Sequence, residues 1–146
     1  MTPIPRQLWQ IAGVLGLVHG LQLGVRPSRG SGGALTVSAL RASDSALTEW
    51  HFHLDAGYLW SLDYGPLRPR WGAAVGSGLL VQDVPEGSAR YSPLFELGPV
   101  LGLTCDVTQR AGLWSELSLP ARLYRQDARW AVAFAPSAWL GAFLSL

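Results

Sequence analysis

Lysine and asparagine are missing from this 146-residue sequence, and cysteine occurs once. Charged residues make up 14% of it, against about a quarter in an ordinary soluble domain. With Cys105 alone, neither an intrachain disulfide nor a cysteine-rich zinc site can form. The net charge of +1 gives no electrostatic case for nucleic acid. All the basic residues are arginines, a bias that a GC-rich genome explains. Long apolar runs are missing too. No stretch reaches the roughly 18 apolar residues that would mark a transmembrane helix. Yet 49% of the residues are hydrophobic, too many for a disordered chain. The apolar residues are abundant but dispersed.

Their dispersal has a period of two, the period of a β-strand. Trp50, Phe52, Leu54, Ala56, Tyr58 and Trp60 alternate with His51, His53, Asp55, Gly57 and Leu59. Ten residues at about 3.3 Å each, tilted by about 40°, rise roughly 25 Å, the height of the apolar band on a membrane barrel. Trp50 and Trp60 would then lie at the two membrane interfaces. Similar alternation carries Trp71–Val81, Tyr91–Leu103, Leu113–Leu123 and Trp130–Leu146, with a weaker strand over Leu35–Ala42. Tyr91, Trp71 and Trp130 join the expected aromatic girdle. Trp114 and Trp139 fall on the opposite, lumen-facing parity, either as space fillers or because the local register is shifted there.

Arg26–Gly33, Ser43–Leu47, Asp63–Pro69, Asp83–Arg90, Asp106–Arg110 and Arg125–Ala128 read as separators. Long strands joined by short turns predict an all-β, up-and-down antiparallel transmembrane barrel of about eight strands. Residues 1–146 form a single barrel domain in this reading. Seven strands are directly countable, and a barrel of this kind normally has an even number. Either the 26–48 region hides a strand or the opening segment is two. Residues 1–25 read as a first strand. The alternative there is a signal or a helix carrying a stripe of Gly13, Gly16, Gly20 and Gly24. Pro93, Pro99, Pro120 and Pro136 fall inside expected strands, where each removes a ladder hydrogen bond.

Taken together, strand length, alternation and aromatic placement resemble the small outer-membrane β-barrel proteins, the class that includes the OmpA transmembrane domain. The resemblance covers Leu35–Leu146 or the whole chain and rests on pattern, without a diagnostic motif. It implies a bacterial outer-membrane location, a lipid bilayer as the partner, a monomeric state and no cofactor. Such chains usually end in an aromatic residue; this one ends Phe143-Leu144-Ser145-Leu146. Barrels of this class also occur as parts of larger multidomain proteins.

The candidate functional residues are those of lumen parity: His51, His53, Asp55, Glu96, Glu116, Arg122 and Tyr124, with Arg70 beside them. Charges inside a narrow barrel must pair, and Glu96, Glu116 and Arg122 are expected to form one buried network. The resemblance implies a Glu–Arg plug of that kind. His51 and His53 share a face and are near enough to share a metal, with Asp55 as a third donor. The spacing alone is weak, so no metal and no catalytic residue is assigned. The expected role is structural anchoring with a side-chain-filled lumen. Alternatives are a soluble lipocalin-like barrel with the apolar face turned inward, a narrow pore, and a lipid-modifying barrel enzyme. For the last, Ser118 with Glu116 and a histidine would form a triad, but no nucleophile motif supports it.

Overall fold

The computed structural model describes residues 6–13, 18–27, 29–43, 48–83, 87–126, 128–134 and 136–145. Side chains are described from residue 20 onward, except at 42, 43 and 126 within those ranges. Ten strand segments run in chain order: β1 Arg6–Gly13, β2 Val18–Pro27, β3 Gly32–Ser43, β4 Thr48–Ser61 and β5 Leu67–Asp83. They continue as β6 Ala89–Asp106, β7 Ala111–Ser118, β8 Ala121–Gln126, β9 Arg129–Phe134 and β10 Ser137–Ser145. Each pairs antiparallel with its neighbours, and β1 pairs with β10, so the sheet closes on itself.

Ten segments make eight staves. β7 and β8 lie along the same strand β6 in one unbroken register: Val100 faces Ser118 and Leu97 faces Ala121. β10 on β7 and β9 on β8 likewise continue one register, with Ser137 opposite Ser118 and Phe134 opposite Ala121. The interruptions fall at Pro120 and Pro136. Proline has no N–H to donate, so a ladder breaks there without losing its alignment. Pro93 and Pro99 lie within β6 and do not end it. Leu119 N–H still donates to Pro99 O at 3.2 Å, but the reciprocal bond is impossible.

The even strand number is reached at the N-terminus. Of the two alternatives for the eighth strand, the opening segment is the one that holds two, β1 and β2. Gln7 faces Arg26, and Ala12 faces Gln22. The alternation was continuous through both because neighbouring antiparallel strands of a barrel share the same outward and inward faces. The separator boundaries need correction as well. Arg26 belongs to β2, and Arg68 and Pro69 belong to β5.

Parity holds along the staves. Phe52, Leu54, Leu97, Leu101 and Leu117 are 44–62% exposed, so the apolar face points outward. A soluble barrel with an apolar cavity requires the reverse orientation. The expected girdle residues Trp50, Trp60, Trp71, Tyr91 and Trp130 are all exposed on that outer face. Trp60 sits opposite Trp71 toward the rim where β1 starts and β10 ends. Trp50 and Tyr91 both face Val81 toward the other rim. Trp130 lies toward that second rim as well, its ring 6.3 Å from that of Phe95. An aromatic ring with a polar edge is suited to such a boundary. No helix among the described residues is long and apolar enough to cross a membrane, which says nothing of a barrel that crosses with strands.

Inside, Leu40, Trp114, Trp139 and Phe143 pack together as a buried cluster. Trp114 and Trp139 therefore occupy the lumen, as their parity indicated. Gly112 opens the room for this cluster: a Cβ there would collide with the Phe143 ring.

Candidate functional site

The polar interior is organised by what β5 lacks. Its inward positions near mid-height are Gly72, Ala74, Gly76 and Gly78, so this stave presents almost no side chain to the lumen. Asp55 of β4 and Glu96 of β6 both register against Gly76. Their side chains consequently meet across it. A Cβ on Gly76 would collide with Asp55 Oδ1 and stand 3.1 Å from Glu96 Cγ. Glycine here is a matter of space, since two carboxyl groups occupy the volume above it.

Glu96 and Arg122 sit directly opposite on β6 and β8, and Arg122 Nε donates to Glu96 Oε2 at 2.9 Å. The other oxygen, Oε1, is 3.4 Å from His53 Nδ1. The His53 side chain is 1% exposed, and neither ring nitrogen makes a hydrogen bond. Asp55 Oδ1 is also buried without a hydrogen-bond partner. One donor atom from each of His53, Asp55 and Glu96 lies within 4.8 Å of the others. A cavity of about 50 Å³ adjoins them, lined also by Gln22, Thr36 and Ser38.

The expected network is thus partly assembled and partly rearranged. Glu96 and Arg122 pair as anticipated. Glu116 does not join them: Arg26 Nη1 donates to Glu116 Oε2, and both side chains are almost fully buried. The Arg26 guanidinium also lies 4.6 Å above the Trp114 ring, where the indole face attracts the cation. His51 faces inward but turns to Glu49, 3.3 Å away, and Glu49 in turn accepts from Gln82 Nε2 at 2.7 Å. The His51 and His53 rings stack at 6.0 Å without converging on a shared donor set. Tyr124 has the inward parity and is half-buried.

Three residues escaped the sequence reading. Arg26 and Arg68 were assigned to separators, yet both are buried inside strands. Arg68 makes two hydrogen bonds to the Asp106 carboxylate, the second from Nη2 to Oδ1 at 2.5 Å. Glu49 was passed over at a strand end. Extending the parity of Leu21, Leu23 and Val25 by one residue would have turned Arg26 inward. Arg70, named at the margin, is buried and donates from Nη2 to Pro27 O at 2.8 Å. The imagined triad does not form, because Ser118 Oγ bonds Ser137 Oγ at 2.6 Å and Glu116 is held by Arg26.

Solved structures with the same closed ring are known. This chain superposes on Neisserial surface protein A with a TM-score of 0.63, at 17% identity, covering 97% of this chain and 93% of that one. The fold is that of the small outer-membrane β-barrels. A major outer membrane protein from Thermus thermophilus matches with a TM-score of 0.61 at 14% identity, over 97% of this chain and 98% of that one. The N-terminal β-barrel domain of Pseudomonas aeruginosa OprF matches at 0.60 and 15% identity, over 98% of both chains. No family model matches the sequence. No curated protein sequence matches it either.

Proposed function

We propose that this chain resides in a bacterial outer membrane as a monomeric barrel with a structural, anchoring role. In this reading the lumen is shut by side chains, and the protein performs no catalysis. One observation carries it: an outward apolar face between two aromatic rims encloses an interior that holds buried ion pairs. Lipid is the solvent that suits such a surface, because each outward Leu, Val or Phe would otherwise stand in water. Arg26–Glu116 joins β2 to β7 across the lumen, and Arg68–Asp106 and Arg122–Glu96 tie neighbouring staves together on its inner face. Bridges of that kind obstruct a water column and tie the wall together. The short connections fit the same role: two residues separate Gln126 from Arg129, and five separate Ser61 from Leu67. Neither span can build a large external domain.

The test has two arms. Refolded into detergent, the chain is expected to give a β-type far-ultraviolet spectrum and a gel band that shifts on boiling. In planar bilayers it is expected to give no sustained conductance. A steady channel would overturn the closed lumen and favour the narrow pore. Folding to a soluble monomer in detergent-free buffer would overturn the membrane reading.

A further inference from the structure

We propose that His53, Asp55 and Glu96 form a divalent-cation site inside the barrel. The three residues come from β4 and β6, and the bare inner face of β5 lets them converge over Gly76. Two carboxylates and one imidazole make a mixed oxygen–nitrogen set of the kind that holds zinc or another first-row divalent ion. Their donor atoms lie within 4.8 Å of one another. Bonds of about 2.0–2.2 Å to a shared ion would draw them roughly 1 Å closer, a movement within reach of side-chain rotation.

The second observation is His53 itself. An imidazole that is 1% exposed, with neither ring nitrogen in a hydrogen bond and only a 3.4 Å contact from Nδ1 to Glu96 Oε1, is under-satisfied. A metal bond to Nδ1 or Nε2 supplies one. The surroundings are arranged as an outer shell would be. Arg122 occupies Glu96 Oε2 and leaves Oε1 turned toward His53, and such outer contacts commonly orient a ligand. The adjoining cavity of about 50 Å³ has room for a water at an open coordination position. Charge also favours a cation. Arg122 is bonded to Glu96 and Asp55 Oδ1 is buried without a hydrogen-bond partner, so the two carboxyl groups outnumber the guanidinium bonded to them. A proton shared between the carboxylates is the competing way to remove that excess.

The experiment uses the whole chain, refolded in chelator-treated detergent and titrated with zinc or cobalt chloride. Calorimetry is expected to give one ion per chain, and cobalt is expected to develop visible absorption bands. His53→Ala and Glu96→Gln should each weaken binding at least about tenfold, since losing even an outer partner of a ligand costs about that much. His51→Gln should leave it within about twofold. Since a variant can fail to fold, X-ray absorption of zinc-loaded wild-type protein provides an independent reading. One imidazole with oxygen ligands at about 2.0–2.2 Å is expected. No uptake by the folded wild-type chain, equal affinity in His53→Ala, or a shell with two imidazoles would each overturn the site.

Discussion

The two sides of this barrel are filled by opposite means. On the side of β4, β5 and β6 the wall is continuous, with strands of 14, 17 and 18 residues. Its inner face carries glycine and alanine on β5, and the space is taken by charged groups from the flanking staves. On the other side the wall is broken at Pro120 and Pro136, and the interior behind it holds Trp114, Trp139 and Phe143. A narrow barrel must be filled from within. Small wall residues leave room for several charged groups, whereas on the other side aromatic rings take most of the volume and pack around the Arg26–Glu116 pair. The difference teaches that lumen volume and lumen charge are set by the residue size at alternate positions of each stave.

The sharpest way to break this contrast is at Glu116, the carboxylate on the aromatic side. Glu116→Ala leaves Arg26 as a buried charge between Trp114 and the wall. The expected loss is about 3–5 kcal/mol in denaturant unfolding from detergent or liposomes. Removing both charges, as Arg26→Met with Glu116→Leu, should recover most of that loss. If the double variant is no better than the single one, the pair is not what holds these staves.

A smaller effect is expected on the polar side. Gly76→Ala places a Cβ where Asp55 and Glu96 meet, an overpacking that should cost about 1–3 kcal/mol. Combining it with Asp55→Ala should be less harmful than the sum of the two changes, because the clash is relieved. Additive losses in such a cycle would contradict the proposed crossing over β5.

The smallest effect is in the wall. Pro99→Ala restores an N–H opposite Leu119, whose own N–H already reaches residue 99. A gain of about 0.5–1.5 kcal/mol is expected, the net worth of one hydrogen bond. A loss of stability would mean that the proline break is needed by the packing behind it.

Much of this architecture was legible in the sequence, and the reason is the fixed two-residue period of a strand. The outward set from Trp50 to Trp60 and the inward Trp114 and Trp139 follow from parity alone. Pairing was not legible. Arg26 and Glu116 are 90 residues apart in sequence, and only the register of intervening staves brings them together. The same holds for Asp55 and Glu96, whose meeting depends on Gly76 being opposite both. Local composition misled where a buried arginine stood next to turn formers, as Arg26 does before Pro27 and Arg68 before Pro69. Parity left open where the eighth strand lies, because the apolar alternation of the opening segment runs on through two staves.

The orientation of the alternating faces can be measured directly. In a Cys105→Ser background, a spin label at position 97 of β6 would report its surroundings in lipid vesicles. The outward placement of Leu97 predicts high accessibility to dissolved oxygen and low accessibility to a water-soluble nickel chelate. A label at position 97 that meets neither reagent, or that meets the nickel chelate freely, would contradict a lipid-facing wall.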